Sequence, residues 1–344
     1  MEQSRASRDG EVLPGPEPEG GRLHGPDEGS PILADRRWLA AIDDAYGARA
    51  CRVAAAGLEV PGYAVRNIRG QRMFYGLPDS LSQQPVERIG DFLDAIRAPL
   101  RSVGFTQAWI DTGNAMSPAG LRRRVRISPV IDLRPGTEAI WRGFRDKVRN
   151  TIRKAERSAF VISDDIRHVD AFHALYASAM DEKGAAIRSR AFFGALLERF
   201  GAQAMLKTAW KDGLIRGGVL ILRNGSGASY PYGAADTEGK RVGITSLLLW
   251  RAIDELCALG VPNLDLGPSA PGGGTYRFKI HLGGVPRERY FVDVLSRVSD
   301  APAVPTAEAR APASRGKLER MLVRMPARLR IAFRILLGRF DRIL

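Results

Sequence analysis

The sequence predicts an α+β fold built from two related halves. Two observations carry that expectation. One pattern occurs twice at an offset of about 155 residues: Tyr75-Gly76 corresponds to Tyr232-Gly233, Gly104 to Gly260, and Asp111-Thr112-Gly113 to Asp265-Leu266-Gly267. A steady offset of that length marks a duplicated domain rather than a short solenoid unit. In each copy, strand-like runs lead to an apolar-periodic helix, a glycine and a further strand, an order that gives a mixed sheet flanked by helices. At 344 residues the chain can hold one large or two medium domains with an ample core.

Residues 1–31 are rich in Gly, Pro and Glu, with few large apolar groups, so burial cannot offset their ordering entropy. They read as a disordered tail, and folding starts near Ile32 to Trp38. The first domain, residues 32–134, has a strand-like run from Gly62 to Gly76, a helix from Ile89 to Val103 and a strand from Gln107 to Asn114. The second domain, residues 135–297, opens where Pro135-Gly136 breaks a strand, Thr137 can cap a helix and Glu138 suits its positive end. Trp141, Phe144, Val148 and Ile152 then recur at helical spacing. Strand Phe160 to Ser163, helices Val169 to Met180 and Phe192 to Phe200, and strands Ala204 to Trp210, Gly217 to Leu222 and Ala228 to Ala234 follow. A core helix from Ile244 to Leu259 leads to a strand from Pro262 to Leu266. Residues 298–316 read as an Ala/Pro-rich linker. Residues 317–344 alternate apolar groups with arginines, as in a basic amphipathic helix pair broken at Pro326. Such a tail, Lys317 to Leu344, can lie on an anionic membrane surface, dock on the core or meet a partner protein.

The formal charge is +14, which implies attraction to phosphates, nucleotides, tRNA or an acidic membrane face. A solvated arginine-rich surface is the plainer alternative. Two cysteines, Cys51 and Cys257, in apolar surroundings exclude a disulfide framework and a cysteine-based metal site. No secretory h-region and no run of about 18 apolar residues is visible, so a cytoplasmic site is expected, peripheral at the inner membrane face if the tail binds lipid. HExxH, zinc-cluster, GxSxG and phosphate-loop patterns are missing, so no metal is expected, and hydrolase and NTPase readings fall away.

The segment Asp265 to Gly284, DLGPSAPGGGTYRFKIHLGG, carries the chemistry. A short apolar strand ends in Asp-Leu-Gly, a glycine-rich loop follows, and Tyr276-Arg277-Phe278-Lys279 closes on Gly283-Gly284. Phe278 beside Lys279 sets an apolar wall next to a point charge, which suits a carbonyl whose oxygen turns negative during acyl transfer. A surface lysine after a core phenylalanine is the alternative. Asp265 ends its strand, where ligands collect in α/β sheets, and can orient an attacking amine or hold the glycine loop. His281 can deprotonate an amine or serve structure alone.

Three stretches together resemble the Fem (FemAB) family of acyl and aminoacyl transferases. They are the basic run Phe144 to Glu156, the run Tyr230 to Glu238 ahead of the SLLLWRAIDE helix, and Asp265 to Gly284, with Leu266 where an aromatic is commoner. The resemblance spans roughly residues 35–297 and implies tandem acetyltransferase-like (GNAT) domains. It implies that Lys279 meets the acyl carbonyl and that Phe278 borders the acyl pocket; with Asp265 at the strand end they are the catalytic candidates. By likeness to GNAT pyrophosphate loops, Lys240, Arg241, Gly243 and Thr245 form the donor-binding loop, although Thr245 crowds a position where glycine or alanine is usual; an ordinary helix start is the alternative. Arg149 and Asn150 on the basic helix, with Tyr232 and Asp111, are the acceptor-binding candidates. The implied activity is N-acyl transfer, with no bound cofactor. The co-substrate is acyl-CoA by preference or aminoacyl-tRNA, and the acceptor is an amine of a cell-envelope glycan, peptide or lipid precursor. A non-catalytic, membrane-associated binding protein in polysaccharide assembly is the alternative of a different class.

Overall fold

The computed structural model describes residues 11–14, 32, 35–66, 70–77, 80–81, 84–113, 122–296, 325 and 331. Twelve strands form one sheet. They are β1 (Glu11–Pro14), β2 (Arg49–Ala55), β3 (Leu58–Arg66), β4 (Arg72–Gly76), β5 (Phe105–Asp111), β6 (Arg122–Asp132), β7 (Val161–Ser163), β8 (Ala204–Lys211), β9 (Leu214–Asn224), β10 (Gly227–Ala235), β11 (Asn263–Asp265) and β12 (Val285–Asp293). Their order is β1-β2-β3-β4-β5-β12-β6-β11-β10-β9-β8-β7. All neighbours run antiparallel except β4–β5 and β10–β11. A parallel pair needs a crossover. In the first half the crossover carries α2 (Val86–Ala95) and α3 (Arg97–Ser102); in the second it carries α9 (Ile244–Ala258).

The repeat read from the sequence is thus a repeat of structure, and the two copies exchange their last strands. β6 follows the first half yet pairs with β11, while β12 ends the second half yet pairs with β5. β6 and β12 also pair with each other along Arg122–Val130 and Val285–Asp293, which seams the halves into one sheet.

Helices cover both faces of the second half. On one face α4 (Thr137–Gly143), α5 (Asp146–Glu156) and α9 close a core with Phe144, Val148, Ile152, Leu248 and Ile253. On the other, α1 (Arg36–Tyr46), α6 (Val169–Glu182) and α7 (Arg190–Phe200) bury Trp38, Phe172, Phe192 and Phe193. Tyr63, Tyr75 and Trp109 of the first half join that aromatic cluster, so it bridges the repeat. The first half has its own core, where Ile89, Phe92, Leu93 and Leu100 pack on Val53, Val60 and Ile110.

Local chemistry shifts several boundaries. The expected helix Ile89 to Val103 breaks at Ile96, and the new first turn takes Pro99, which needs no N–H partner there. Phe144 and Arg145 are extended and divide α4 from α5. Thr137 does not cap: Gly136 is the N-cap, and the Thr137 hydroxyl donates to Asp254 at 3.0 Å. Within the 1–31 stretch, Glu11–Pro14 pairs with β2, and Val12 packs on the first-half core. Of the 317–344 segment only Met325 and Ile331 are described, and Ile331 packs against the aromatic cluster. The membrane expectation for Lys317 to Leu344 otherwise lies outside the described residues. Among those, no helix is long and apolar enough to cross a membrane.

Candidate active site

The parallel pair β10–β11 is short. It pairs only at Ala228–Leu264 and Ser229–Asp265, after which β10 runs on to Ala235 while β11 stops. The strands part there because Asp265-Leu266-Gly267 turns. The Asp265 carboxylate accepts from the Gly267 N–H at 2.7 Å, and Gly267 takes a left-handed φ of 79°, which favours glycine. The chain then forms α10 (Gly274–His281), so the run Tyr276 to Lys279 is helical. Lys279 sits on the last turn of α10, 6% exposed, and its ammonium donates to the Gly267 carbonyl at 2.8 Å. One tight turn therefore holds both charges of the motif.

The gap left by β11 is a cleft of about 530 Å³. Tyr230 and Gly233 to Ala235 form one wall, and Gly274, Thr275, Phe278 and His281 of α10, with Leu282 just after it, form the other. Its mouth is basic: Arg145, Lys147, Lys183 and Lys240 line it, with no acidic residue among the described lining. Partial burial and the Lys240 charge lower the Lys183 pKa. Gly243 and the start of α9, with Thr245 and Ser246, close the floor. Gly243 joins α8 (Thr237–Val242) to α9 at φ 79°, and a Cβ there would stand 2.2 Å from Thr151 Cγ2. The loop thus lies directly on α5. Backbone N–H groups at such a helix start point towards an anion.

A second cleft, about 570 Å³, borders the other side of the turn. Asp265, Ser229 and Asn263 line it together with Arg287 and Arg289 of β12 and the Asp132–Arg134 pair at the end of β6. Burial raises the Asp265 pKa, against the Gly267 N–H and the charges of Arg289, Lys279 and Arg287. Burial lowers the Lys279 pKa to about 8, opposed by Asp265. The lysine is recessed between the clefts: its neighbours Phe278 and Leu282 reach the first, and Asp265 reaches the second.

The other candidates divide. Lys240, Gly243 and Thr245 meet Phe278 in the first cleft. Arg241 is exposed outside its lining, and its carbonyl accepts from Lys154 at 3.1 Å. Arg149 turns inward, donating to the carbonyls of Arg142 at 3.0 Å and Phe144 at 2.5 Å, so it fastens the α4–α5 break. Asn150 is exposed on α5, in neither cleft. Tyr232 packs in the aromatic cluster, stacked on Trp38 at 6.2 Å, with burial raising its pKa and the nearby Arg188 opposing. Asp111 is fully buried; it accepts from the Gly113 N–H at 2.9 Å and pairs with Arg289. Sequence reasoning passed over Arg145, Lys147 and Lys183, which become neighbours only through packing, and Arg287 and Arg289, which reach the site by strand exchange. Among the described residues no group of His, Cys, Asp and Glu is placed to hold a metal ion.

Residues 142–279 match the family model described as an acetyltransferase (GNAT) domain. No curated protein sequence matches the chain. Among solved structures, FemX superposes with a TM-score of 0.58 at 13% identity, over 77% of this chain and 93% of that one. A conserved protein of unknown function from Bacteroides thetaiotaomicron VPI-5482 gives 0.53 at 11%, over 78% and 92%. A tandem GNAT protein from the clavulanic acid biosynthesis pathway gives 0.50 at 13%, over 83% and 99%. At these identities the superpositions speak for the fold, while the matched domain carries the splayed strands, the basic loop and Lys279. Residues 142–279 therefore form an acetyltransferase (GNAT) domain, and the chain as a whole shares the fold of FemX and of a tandem GNAT protein.

Proposed function

We propose that the protein transfers an acyl group from acyl-CoA to an amine of a cell-envelope glycan, peptide or lipid precursor. The observation that carries this reading is the recessed Lys279 between a cleft whose charged lining is all basic and one that contains the Asp265 carboxylate. Phosphates of the donor sit at Lys183, Lys240 and the start of α9, where fixed charge and backbone N–H groups favour anions. The acyl chain follows the free edge of β10 towards Phe278. The amine enters beside Asp265, which takes its proton as nitrogen bonds the carbonyl carbon. Lys279 stabilises the oxyanion; the C–S bond then breaks, and the thiolate leaves and takes a proton. The two domains, residues 32–134 and 135–297, divide the work, with the first framing the acceptor side.

Melting of the full chain tests the donor. Coenzyme A raises the melting temperature, because a ligand that binds only the folded state stabilises it. Lys240→Glu at the cleft mouth removes that rise. An unchanged melting temperature for the wild type at millimolar coenzyme A overturns the thioester reading.

The +14 charge and the Arg145–Lys147 pair at the mouth favour one second reading, aminoacyl-tRNA as donor. Retention on tRNA with a steep salt dependence supports it, and salt-independent or absent retention dismisses it. An acceptor at the inner membrane face accords with the basic 317–344 segment, and Ile331 on the aromatic cluster favours docking of that segment on the core.

A further inference from the structure

β10 carries one extra residue where it borders the first cleft. Ser229 stands opposite Leu222 of β9 and Tyr232 opposite Leu220, three steps on one strand against two on the other. An insertion of this kind is a β-bulge, which re-aims the side chains around it. In a regular strand Tyr230 and Tyr232, two residues apart, would share a face. Here they part. Tyr232 joins the aromatic cluster, while Tyr230 packs on the core beneath α4, α5 and α9 and lines the first cleft. Pro231 between them has no N–H to lose from the ladder.

The Tyr230 ring lies along its own strand. Its hydroxyl rests over Gly233, where an added Cβ would collide with it. Its carbonyl reaches the Lys279 turn: a Cβ on Gly267 would stand 3.1 Å from that carbonyl and 3.7 Å from Lys279 Nζ. The residue therefore extends from the Lys279 turn along the cleft wall. Its hydroxyl has no hydrogen-bond partner among the described residues, and burial raises its pKa, so it stays a neutral phenol. The other wall residues of β10, Gly233, Ala234 and Ala235, carry no polar side chain. Val148, Ala179, Phe278 and Leu282 add apolar lining, and the remaining hydroxyls of the cleft belong to helices α5, α9 and α10. A chain laid on this wall either pairs the phenol or strips it of water with nothing in exchange. Sites with a lone polar group of this sort discriminate strongly against ligands that leave it unpaired. The charges add a second filter. Four cations and no acidic residue line the cleft among the described residues, so an ammonium on the acyl group meets only repulsion.

We propose that the first cleft selects a hydroxyacyl group, whose hydroxyl pairs with the hydroxyl of Tyr230. The inference rests on the acyl-transfer reading and extends it to the class of acyl group. Tyr230 is a specificity residue in this scheme and takes no part in making or breaking bonds. The same wall disfavours an aminoacyl group, which would bring a positive charge into an all-basic lining.

The test measures binding to the full chain by calorimetry. The ligands are the butyryl, 2-hydroxybutyryl, 3-hydroxybutyryl and β-alanyl thioesters, each on coenzyme A and on N-acetylcysteamine, which carries no phosphate. The wild type binds at least one hydroxybutyryl thioester about 10-fold or more tightly than the butyryl one, and the β-alanyl thioester no more tightly than butyryl. Tyr230→Phe keeps the ring and drops one oxygen. In that variant the ratio falls to about one, and butyryl affinity holds or rises because no hydroxyl is left unpaired. A tyrosine with a structural role alone would weaken every thioester alike. Where the variant does not fold, the wild-type ratio decides. Equal binding of hydroxylated and plain thioesters, a hydroxyl preference that survives in Tyr230→Phe, or tightest binding of the β-alanyl thioester overturns the proposal. Coenzyme A thioesters bound without a hydroxyl preference sink this inference and leave the donor reading standing. A hydroxyl preference on N-acetylcysteamine with no gain from coenzyme A does the reverse, and no binding of any thioester overturns both.

Discussion

The two Asp-x-Gly turns of the repeat share their geometry but not their surroundings. Asp111 accepts from Gly113 N–H at 2.9 Å, and Asp265 accepts from Gly267 N–H at 2.7 Å. Each turn ends the second strand of a parallel pair. In the first half, β4 and β5 stay paired through Tyr75–Trp109, near the end of β4. In the second, β10 and β11 separate after Ser229–Asp265, and a cleft opens. The partners differ accordingly. Asp111 meets the guanidinium of Arg289, a charge that cannot be lost near neutral pH. Asp265 faces Lys279, whose burial brings its pKa down to about 8. Duplication thus yields one closed copy that holds the sheet together and one open copy with titratable groups. Arg289 links them, bonding Asp111 and acting on Asp265.

The comparison breaks most visibly at Asp111. Its removal leaves Arg289 buried without its carboxylate, a loss that typically costs about 3–5 kcal/mol. Asp111→Ala should therefore lower the denaturation midpoint sharply. Asp265→Ala, at a turn bordered by clefts, should cost far less stability and should cut turnover instead. Equal melting losses for the two variants, measured by calorimetry, would show that both aspartates are structural.

Lys279→Met comes next. Loss of an oxyanion contact costs on the order of 100-fold in turnover. The variant should stay folded, because methionine fills a similar volume without a buried charge. Near-wild-type acyl transfer in a folded Lys279→Met protein would make the open turn no more catalytic than the closed one.

Much of this was legible in the sequence, for identifiable reasons. The repeat was visible because Asp-x-Gly marks a left-handed turn that favours glycine, at Gly113 and Gly267, and Tyr-Gly recurs in the strands β4 and β10. The motif residues Phe278 and Lys279 are close in sequence to the turn they serve, so a local reading places them together. Arg149 shows the limit. Its position on a basic helix suggested acceptor binding, but a break at Phe144, invisible in the 3.6-residue period, left carbonyls that its guanidinium satisfies. Tyr232 shows another. It lies within β10, which runs on to Ala235, and the neighbours that enclose it come from α1 and α7, distant in sequence. Arg287 and Arg289 were missed because strand exchange carries them across the seam, a contact with no local signature.

A smaller effect is electrostatic. The folded-state pKa of Lys279, about 8, lies below its ordinary 10.5. Between those values the unfolded chain binds more protons than the native one, so wild-type stability rises with pH across that window. Below about pH 8 the lysine is charged in both states, and its burial is a full cost. Lys279→Met should therefore be more stable than wild type near pH 7, by up to about 3 kcal/mol, and the advantage should shrink from pH 8 to 10.5. Turnover of the wild type should fall in the same range as the ammonium is lost. A flat stability difference from pH 7 to 10 would mean that the lysine is hydrated.

The least costly change separates the turns most cleanly. Gly113 and Gly267 have φ values of 63° and 79°, where an added Cβ is strained by about 1–2 kcal/mol. Gly113→Ala and Gly267→Ala should therefore lose similar stability, with a slightly larger loss at Gly267, where the new Cβ would come within 3.1 Å of the Tyr230 carbonyl. Activity should not follow stability. The Gly267 carbonyl holds the Lys279 ammonium at 2.8 Å, so a shifted backbone there moves the charge proposed to meet the oxyanion. At Gly113 the same shift is absorbed by a pair that touches no substrate in the proposed scheme. A matched loss of melting temperature with activity lost at Gly267 alone is the expected pattern. Equal activity losses would mean that the turns report only the integrity of the sheet.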